Sequence, residues 1–119
     1  MTVITKGDET LTVKEGTRNV MLSHGDEYLT VKDGLRSVEV QHGNDNLTVK
    51  DGEAWRRVPN GDYNVVAKKI YLLGKEKILF KVGNSSIEIT PDQIRISSPA
   101  VVCEGDKGVK ITGKVIDLN

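Results

Sequence analysis

Gly7-Asp8-Glu9-Thr10-Leu11-Thr12-Val13-Lys14-Glu15 is the first copy of a unit that recurs along half of this chain. Gly7, Gly16, Gly25, Gly34, Gly43, Gly52 and Gly61 stand at a spacing of nine without exception. The fifth position of each nonad is Leu11, Val20, Leu29, Val38, Leu47, Arg56 and Val65, and the seventh is Val13, Leu22, Val31, Val40, Val49, Val58 and Ala67. A polar residue usually separates the two, as in Leu29-Thr30-Val31. Apolar-polar-apolar is the period-two signature of a short strand with one buried face. The glycine ahead of it best tolerates the positive φ or tight bend of a corner. Each nonad therefore reads as one short strand and one corner, and the repeat as a β-solenoid.

A second period lies over the first. Nonads one, three and five are GDETLTVKE, GDEYLTVKD and GNDNLTVKD, while nonads two and four are GTRNVMLSH and GLRSVEVQH. Strands in a ladder lie about 4.7–4.9 Å apart, so equivalent side chains stack on one another. A flat, two-sided coil would set nonad i on nonad i+2, placing Glu9 on Glu27, Arg18 on Arg36 and His24 on His42. Like charges directly opposite destabilise a ladder. Three identical chains wound together place nonad i of one chain beside nonad i+1 of another. The rows become Glu9–Arg18–Glu27–Arg36–Asp45 and Glu15–His24–Asp33–His42–Asp51, both alternating in charge. Each exposed pair contributes only a few tenths of a kcal/mol, yet their consistent sign marks a register. A single chain wound on three sides stacks i on i+3 and satisfies the same alternation. The charges thus disfavour two sides and leave both three-sided schemes open.

Composition fits a narrow core. Of 119 residues, 37% are hydrophobic and only 4% aromatic, thin for a globular interior but adequate for two apolar side chains per strand. Seventeen basic and seventeen acidic residues cancel, which removes the electrostatic case for nucleic acid or an anionic membrane. No apolar run approaches the roughly 20 residues that span a bilayer, and the opening MTVITKGDET carries no signal-peptide hydrophobic region. The single cysteine, Cys103, excludes an intramolecular disulfide and a cysteine-based zinc cage. Its place in Val101-Val102-Cys103 predicts a small core residue.

The nonad at 52–60 is irregular. It keeps Gly52 and Val58 but puts Arg56 where an apolar residue belongs, and Pro59 fits a corner or strand end. A slip of one residue would turn Trp55 and Arg57 inward instead. Either Arg56 snorkels outward, or three symmetry-related copies of it surround an axial anion or water cluster. Beyond Gly61 the glycines thin but apolar pairs continue: Ile70/Leu72, Ile78/Phe80, Ile87/Ile89, Ile94/Ile96, Val101/Cys103 and Val109/Ile111. Turn chemistry separates them, in Gly83-Asn84-Ser85-Ser86, Thr90-Pro91-Asp92, Ser97-Ser98-Pro99 and Glu104-Gly105-Asp106-Lys107-Gly108. No window has helical amphipathicity. Two regions follow: residues 1–60 as nonapeptide-repeat β-helix, and residues 61–119 as a C-terminal needle continuing the same rod.

The segment Lys81-Val82-Gly83-Asn84-Ser85-Ser86-Ile87-Glu88-Ile89-Thr90-Pro91-Asp92-Gln93-Ile94-Arg95-Ile96 resembles the KVGGSSIxIxPxGIxI stretch near the C-terminus of the valine-glycine repeat (VgrG) proteins of bacterial type VI secretion. The GNDNLTVKDG-type repeats resemble the β-helical region of the same proteins and of contractile-phage central spikes. Asn84 and Gln93 depart from the family pattern, each standing where a glycine is usual. The resemblance extends to the needle region of a full-length member and not to its baseplate-like and oligonucleotide-fold portions, so this sequence would correspond to the needle alone. The resemblance implies a homotrimeric, interwound β-helix whose blunt C-terminal end carries a conical PAAR-repeat tip protein. Val115, Ile116 and Leu118, in the last six residues, supply apolar surface that such a tip could cover by extending the sheet.

Two other classes share part of this pattern. GDExLTV and GNDNLTV are similar to calcium-binding β-roll repeats, with Asp8, Asp26 and Asp45 as the residues to suspect. Paired glycines are missing, however, and Arg18 and Arg36 stand where carboxylates are wanted. A passive trimeric stalk of an extracellular fibre or adhesin would share the rod but not the segment 81–96. His24 and His42 recur at equivalent positions and read as partners of acids, with metal ligation the lesser alternative. Serine pairs in turns lack a histidine in repeat phase, so no catalytic constellation stands out. The expectation is an all-β, three-sided, interwound homotrimeric β-helix without enzymatic activity, cofactor or resident metal. It would serve as the membrane-puncturing needle of a contractile injection machine, held in the cytoplasm before firing and then driven out. Its partners would be its own copies, a PAAR-like tip or effector, and a target membrane crossed transiently.

Overall fold

The computed structural model describes residues 1–119, and the chain is all-β, with no helix. It divides into two units, Met1–Trp55 and Arg56–Asn119, the division falling inside the irregular nonad.

The first unit is a chain with a bend every nine residues. Three-residue bends end at Gly7, Gly16, Gly25, Gly34, Gly43 and Gly52. All six glycines have positive φ, between 98° and 119°, and no non-glycine residue of the chain does. That region of backbone space is closed to side chains by the clash of Cβ with the following peptide. The period of nine is therefore a steric requirement at the corner. Between bends run the apolar-polar-apolar stretches, and here the chain has no partner of its own. From Met1 to Ala54 no backbone hydrogen bond joins one nonad to another, neither i to i+2 nor i to i+3. The nonads carry the alternation of strands but form none within the chain, whose three strands all lie beyond residue 77.

The second unit holds the regular sheet. Strand β1 (Ile78–Val82), strand β2 (Ser85–Ile89) and strand β3 (Ile94–Ser97) form an antiparallel meander in the order β1-β2-β3. The three apolar pairs 78/80, 87/89 and 94/96 lie in these strands. The pairs at 70/72, 101/103 and 109/111 lie in segments without ladder partners in the chain. Gly83-Asn84 closes the β1–β2 hairpin in two residues, with Gly83 at φ +53° and Asn84 not in the positive region. Positive φ at the first central position alone is the pattern of a type II′ turn, whose twist suits a hairpin. Asparagine is accommodated at 84 because only the preceding position requires glycine. Gln93 is accommodated for the same reason, its φ not being positive. Thr90 clasps the β2–β3 connection: its N–H donates to the Gln93 carbonyl at 3.0 Å, and its Oγ1 accepts from the Gln93 N–H at 3.3 Å.

Nothing in the chain is buried. The accessible surface is 13814 Å², whereas a compact chain of this mass would expose about 6,400 Å². Cys103 is a free, exposed thiol rather than a core residue, because the segment that contains it has no sheet or layer packed on it. The half-buried residues, such as Ile78, Ser85, Ile89 and Ser98, all lie in or beside the meander.

The corners predict a simple contrast. Gly34→Ala, at φ +119° with open space around the added Cβ, is expected to lower stability by backbone strain alone, about 1–3 kcal/mol. Gly61→Ala, where φ is not positive and the new Cβ meets Val58 Cγ1 at 3.4 Å, is expected to stay within about 1 kcal/mol of the parent. Thermal unfolding of the two variants side by side measures the difference.

Candidate functional site

The feature that the two units share is apolar surface without a cover. In the first unit it is the row formed by the fifth and seventh residues of each nonad. Leu29 and Val31 are 68% and 46% exposed, and Leu47 and Val49 are 83% and 45%. A polar residue stands between the members of most pairs, Met21 between Val20 and Leu22 being the exception, so the alternation sets apolar and mostly polar positions on opposite sides. In the second unit it is one face of the meander. The register pairs Ile78 with Ile89, Phe80 with Ile87, Ile87 with Ile96 and Ile89 with Ile94. Because successive side chains alternate faces, these residues and Val82 share one side of the sheet. Part of that side forms an open groove lined by Phe80, Val82, Ile87, Ile96, Ala100 and Val102. Ser85 Oγ and Ser98 Oγ bond each other at 2.8 Å beside Val82, satisfying the polar groups at that end of the face.

The opposite face of the meander is polar and charged. Glu88 lies opposite Leu79 on β1 and Arg95 on β3, and its Oε2 is 3.8 Å from Lys77 Nζ. These are surface groups whose pairing contributes little to stability. The electrostatics of the sheet thus leave its apolar face as the surface with free energy to gain.

The other residues singled out in the sequence have definite places. Arg56 lays its guanidinium over the Tyr63 ring, 5.4 Å from the centroid, so the arginine in the apolar row is partnered by an aromatic face. Trp55 Nε1 donates to Glu53 Oε2 at 2.9 Å, and Tyr28 OH donates to Asp26 Oδ2 at 3.1 Å. Both bonds join the residue one past a repeat glycine to the residue three past it, a recurrence invisible in the spacing of charges. His24 and His42 occupy the same place in two bends, immediately before Gly25 and Gly43. Asp8, Asp26 and Asp45 do not converge, and no group of three His, Cys, Asp or Glu side chains comes together. Val115, Ile116 and Leu118 are exposed at 84%, 51% and 87% in a segment with no ladder partner. No helix is long and apolar enough to cross a membrane.

What this arrangement can do is associate. Unpaired strands offer backbone donors and acceptors, and the apolar rows beside them offer area to remove from water. Sequence reading missed the hairpin geometry of 78–97. The signal was present: Gly-Asn as a two-residue link between apolar runs marks a hairpin. Comparison with protein-family models, curated proteins and solved structures finds no match to the chain.

Arg56→Leu is expected to complete the apolar row. Where the row is covered, burying the leucine would gain about 1.5–3 kcal/mol, against about 0.5–1 kcal/mol lost with the exposed cation–π contact. A higher midpoint in a thermal melt checks this. A lower one assigns Arg56 a partner that the leucine cannot hold, such as an anion.

Proposed function

We propose that three copies of this chain interwind into a three-sided β-helix, and that the resulting rod is the puncturing needle of a contractile injection machine. The observation that carries the association is the uncovered apolar row beside strands with no partner in their own chain. The surface in excess of a compact chain, about 7,400 Å², is of the scale that obligate assemblies cover rather than transient ones. Three-fold winding is supported by the charge rows. With nonad i of one copy beside nonad i+1 of the next, Glu9, Arg18, Glu27, Arg36 and Asp45 alternate without a fault. Each copy buries its row only by association, so fold and trimer form together. A rod of this kind has lateral hydrogen bonding along its length and free strand edges only at its ends.

The mechanical role rests on the resemblance of residues 81–96 to the VgrG needle end. In this reading the meander lies toward the blunt end, and Val115, Ile116 and Leu118 offer a PAAR-like tip or an effector an apolar edge to extend. The needle is made in the cytoplasm and driven outward by the contracting sheath. Its work is to carry a load and pierce an envelope, with no chemistry of its own.

Native mass spectrometry in EDTA and then in calcium tests the assembly. Three chain masses, unchanged by calcium, is the expected result. A monomer that gains order only with calcium would instead favour the β-roll. Val38→Asp sets a charge on the apolar row three times per rod and is expected to abolish the trimer. Thr12→Asp, at the polar place between Leu11 and Val13, is expected to keep it. Equal behaviour of the two variants overturns the assignment of the row as the buried side. The puncturing role has its own assay: pull-down of a PAAR-repeat protein, retained by the parent and lost on removal of residues 114–119.

A further inference from the structure

The apolar side of the meander is a continuous, uncharged surface. The register sets Ile78, Ile89 and Ile94 side by side across the three strands, and Phe80, Ile87 and Ile96 in the row beside them. At the end of the face the Ser85 and Ser98 hydroxyls bond each other at 2.8 Å, so they ask little of a partner. Lys81, Glu88 and Arg95 alternate to the other side. Ile87, at the centre of the apolar side, is 42% exposed and is the one residue of β2 that is not half-buried. Resting on the three-copy assembly proposed above, we infer that this face is a contact between copies of the chain. Sheet packs on sheet there through side chains, with no exchange of backbone hydrogen bonds.

A three-stranded sheet can grow at an edge or be covered on a face, and here the edges are guarded. Strand β1 carries Lys81, with Lys75 and Lys77 just ahead of it. Strand β3 is four residues long, and Pro99 stands two residues past its end. Lysine, shortness and proline all blunt an edge against further pairing. The face has no such guard.

The size of the face selects its occupant. Three strands about 4.8 Å apart, with five residues of about 3.3 Å each in the longer two, give a footprint of about 240 Å². A partner in a stable complex buries roughly 800 Å². A free partner seated here alone would have to offset its lost translational and rotational freedom from under a third of that area. A copy already held through the rows of the first unit meets the face at high effective concentration and has no second association to offset. It also brings the same uncharged surface, so no like charges are set together. The copies are then joined in two ways: by strand pairing where the nonads lack partners, and by packed faces where each chain has completed its own ladder.

Cross-linking tests this. Ile87→Cys and, separately, Glu88→Cys are made in a chain whose own exposed thiol is removed by Cys103→Ser. Native mass is recorded first. A short bifunctional maleimide spanning about 10 Å, the distance between packed sheets, is then added and the mass read again after denaturation. The expected result is three chain masses natively for both variants, with covalently joined chains from Ile87→Cys and single chains from Glu88→Cys. Ile87→Asp is expected to lower the melting midpoint by about 5 °C or more, and Ser86→Asp, on the charged side, by about 2 °C or less. Three chain masses with joined chains from Glu88→Cys alone, or equally from both variants, overturn the face contact and leave the three-copy assembly standing. Single chains from both variants within a three-chain assembly also overturn it, and leave the face to an occupant other than a copy. So do equal midpoints for Ile87→Asp and Ser86→Asp. A single chain mass before cross-linking overturns the assembly itself, and the contact falls with it.

Discussion

Between Met1 and Ala54 the backbone donors and acceptors of the nonads have no partner in another nonad, and the apolar side chains beside them have no cover. Everything else about the molecule depends on that double vacancy. Backbone groups in extended chain can be satisfied by water while exposed, but an apolar row that is to leave water must take its strands with it. Those strands must then pair, because an unpaired buried N–H or C=O costs as much as a lost hydrogen bond. Burial and pairing are thus one event, and between Met1 and Ala54 the chain shows neither. The nine-residue corner sets how far the chain runs before it turns.

The meander shows what the chain does where it can pair with itself. Gly83 supplies the single positive φ that a two-residue II′ link needs, and Thr90 supplies a hydroxyl that holds the second link closed. Three strands then share a ladder, and the half-buried residues of the chain all lie in these strands or directly beside them. Yet even here the apolar face remains open, since a three-stranded sheet with one layer has nothing to bury it against. The two units solve the backbone problem differently and leave the same apolar problem unsolved. That common remainder is what an assembly of copies would remove.

Much of this was legible in the sequence, and the limits have physical causes. Corners were readable because only glycine occupies φ near +100°, so a conformational demand was written as a residue type at a fixed spacing. The strands at 78–82, 85–89 and 94–97 were readable as apolar pairs because a pleated strand has a period of two in any sheet. Their direction of pairing was not readable from that alternation, which is the same for parallel stacking and for a hairpin. Only the length and chemistry of the link, Gly83-Asn84, distinguish them. Cys103 was misplaced because the sequence records that a residue is apolar enough for a core, whereas the core itself requires surfaces this chain does not supply. The cation–π contact of Arg56 with Tyr63 joins two nonads and has no counterpart in the repeat.

The charge rows and the apolar row do different work. Apolar burial is non-directional and would be satisfied by many alignments of copies, including slips by a whole nonad. A slip of one nonad keeps every apolar residue on the inner side but sets Glu9 against Glu27 and Arg18 against Arg36. In the proposed assembly the 18-residue alternation would therefore penalise the one error that the nine-residue repeat would otherwise permit. Each pair is weak, but in the proposed assembly the penalty would accrue at every nonad and every copy, and the sum would choose the register. Mutating a single outer charge should then change little, whereas shifting the phase of the alternation along the whole first unit should scramble alignment without weakening burial. Strength and specificity would then be held by separate residues, the first by the rows at positions five and seven, the second by the outer charged positions.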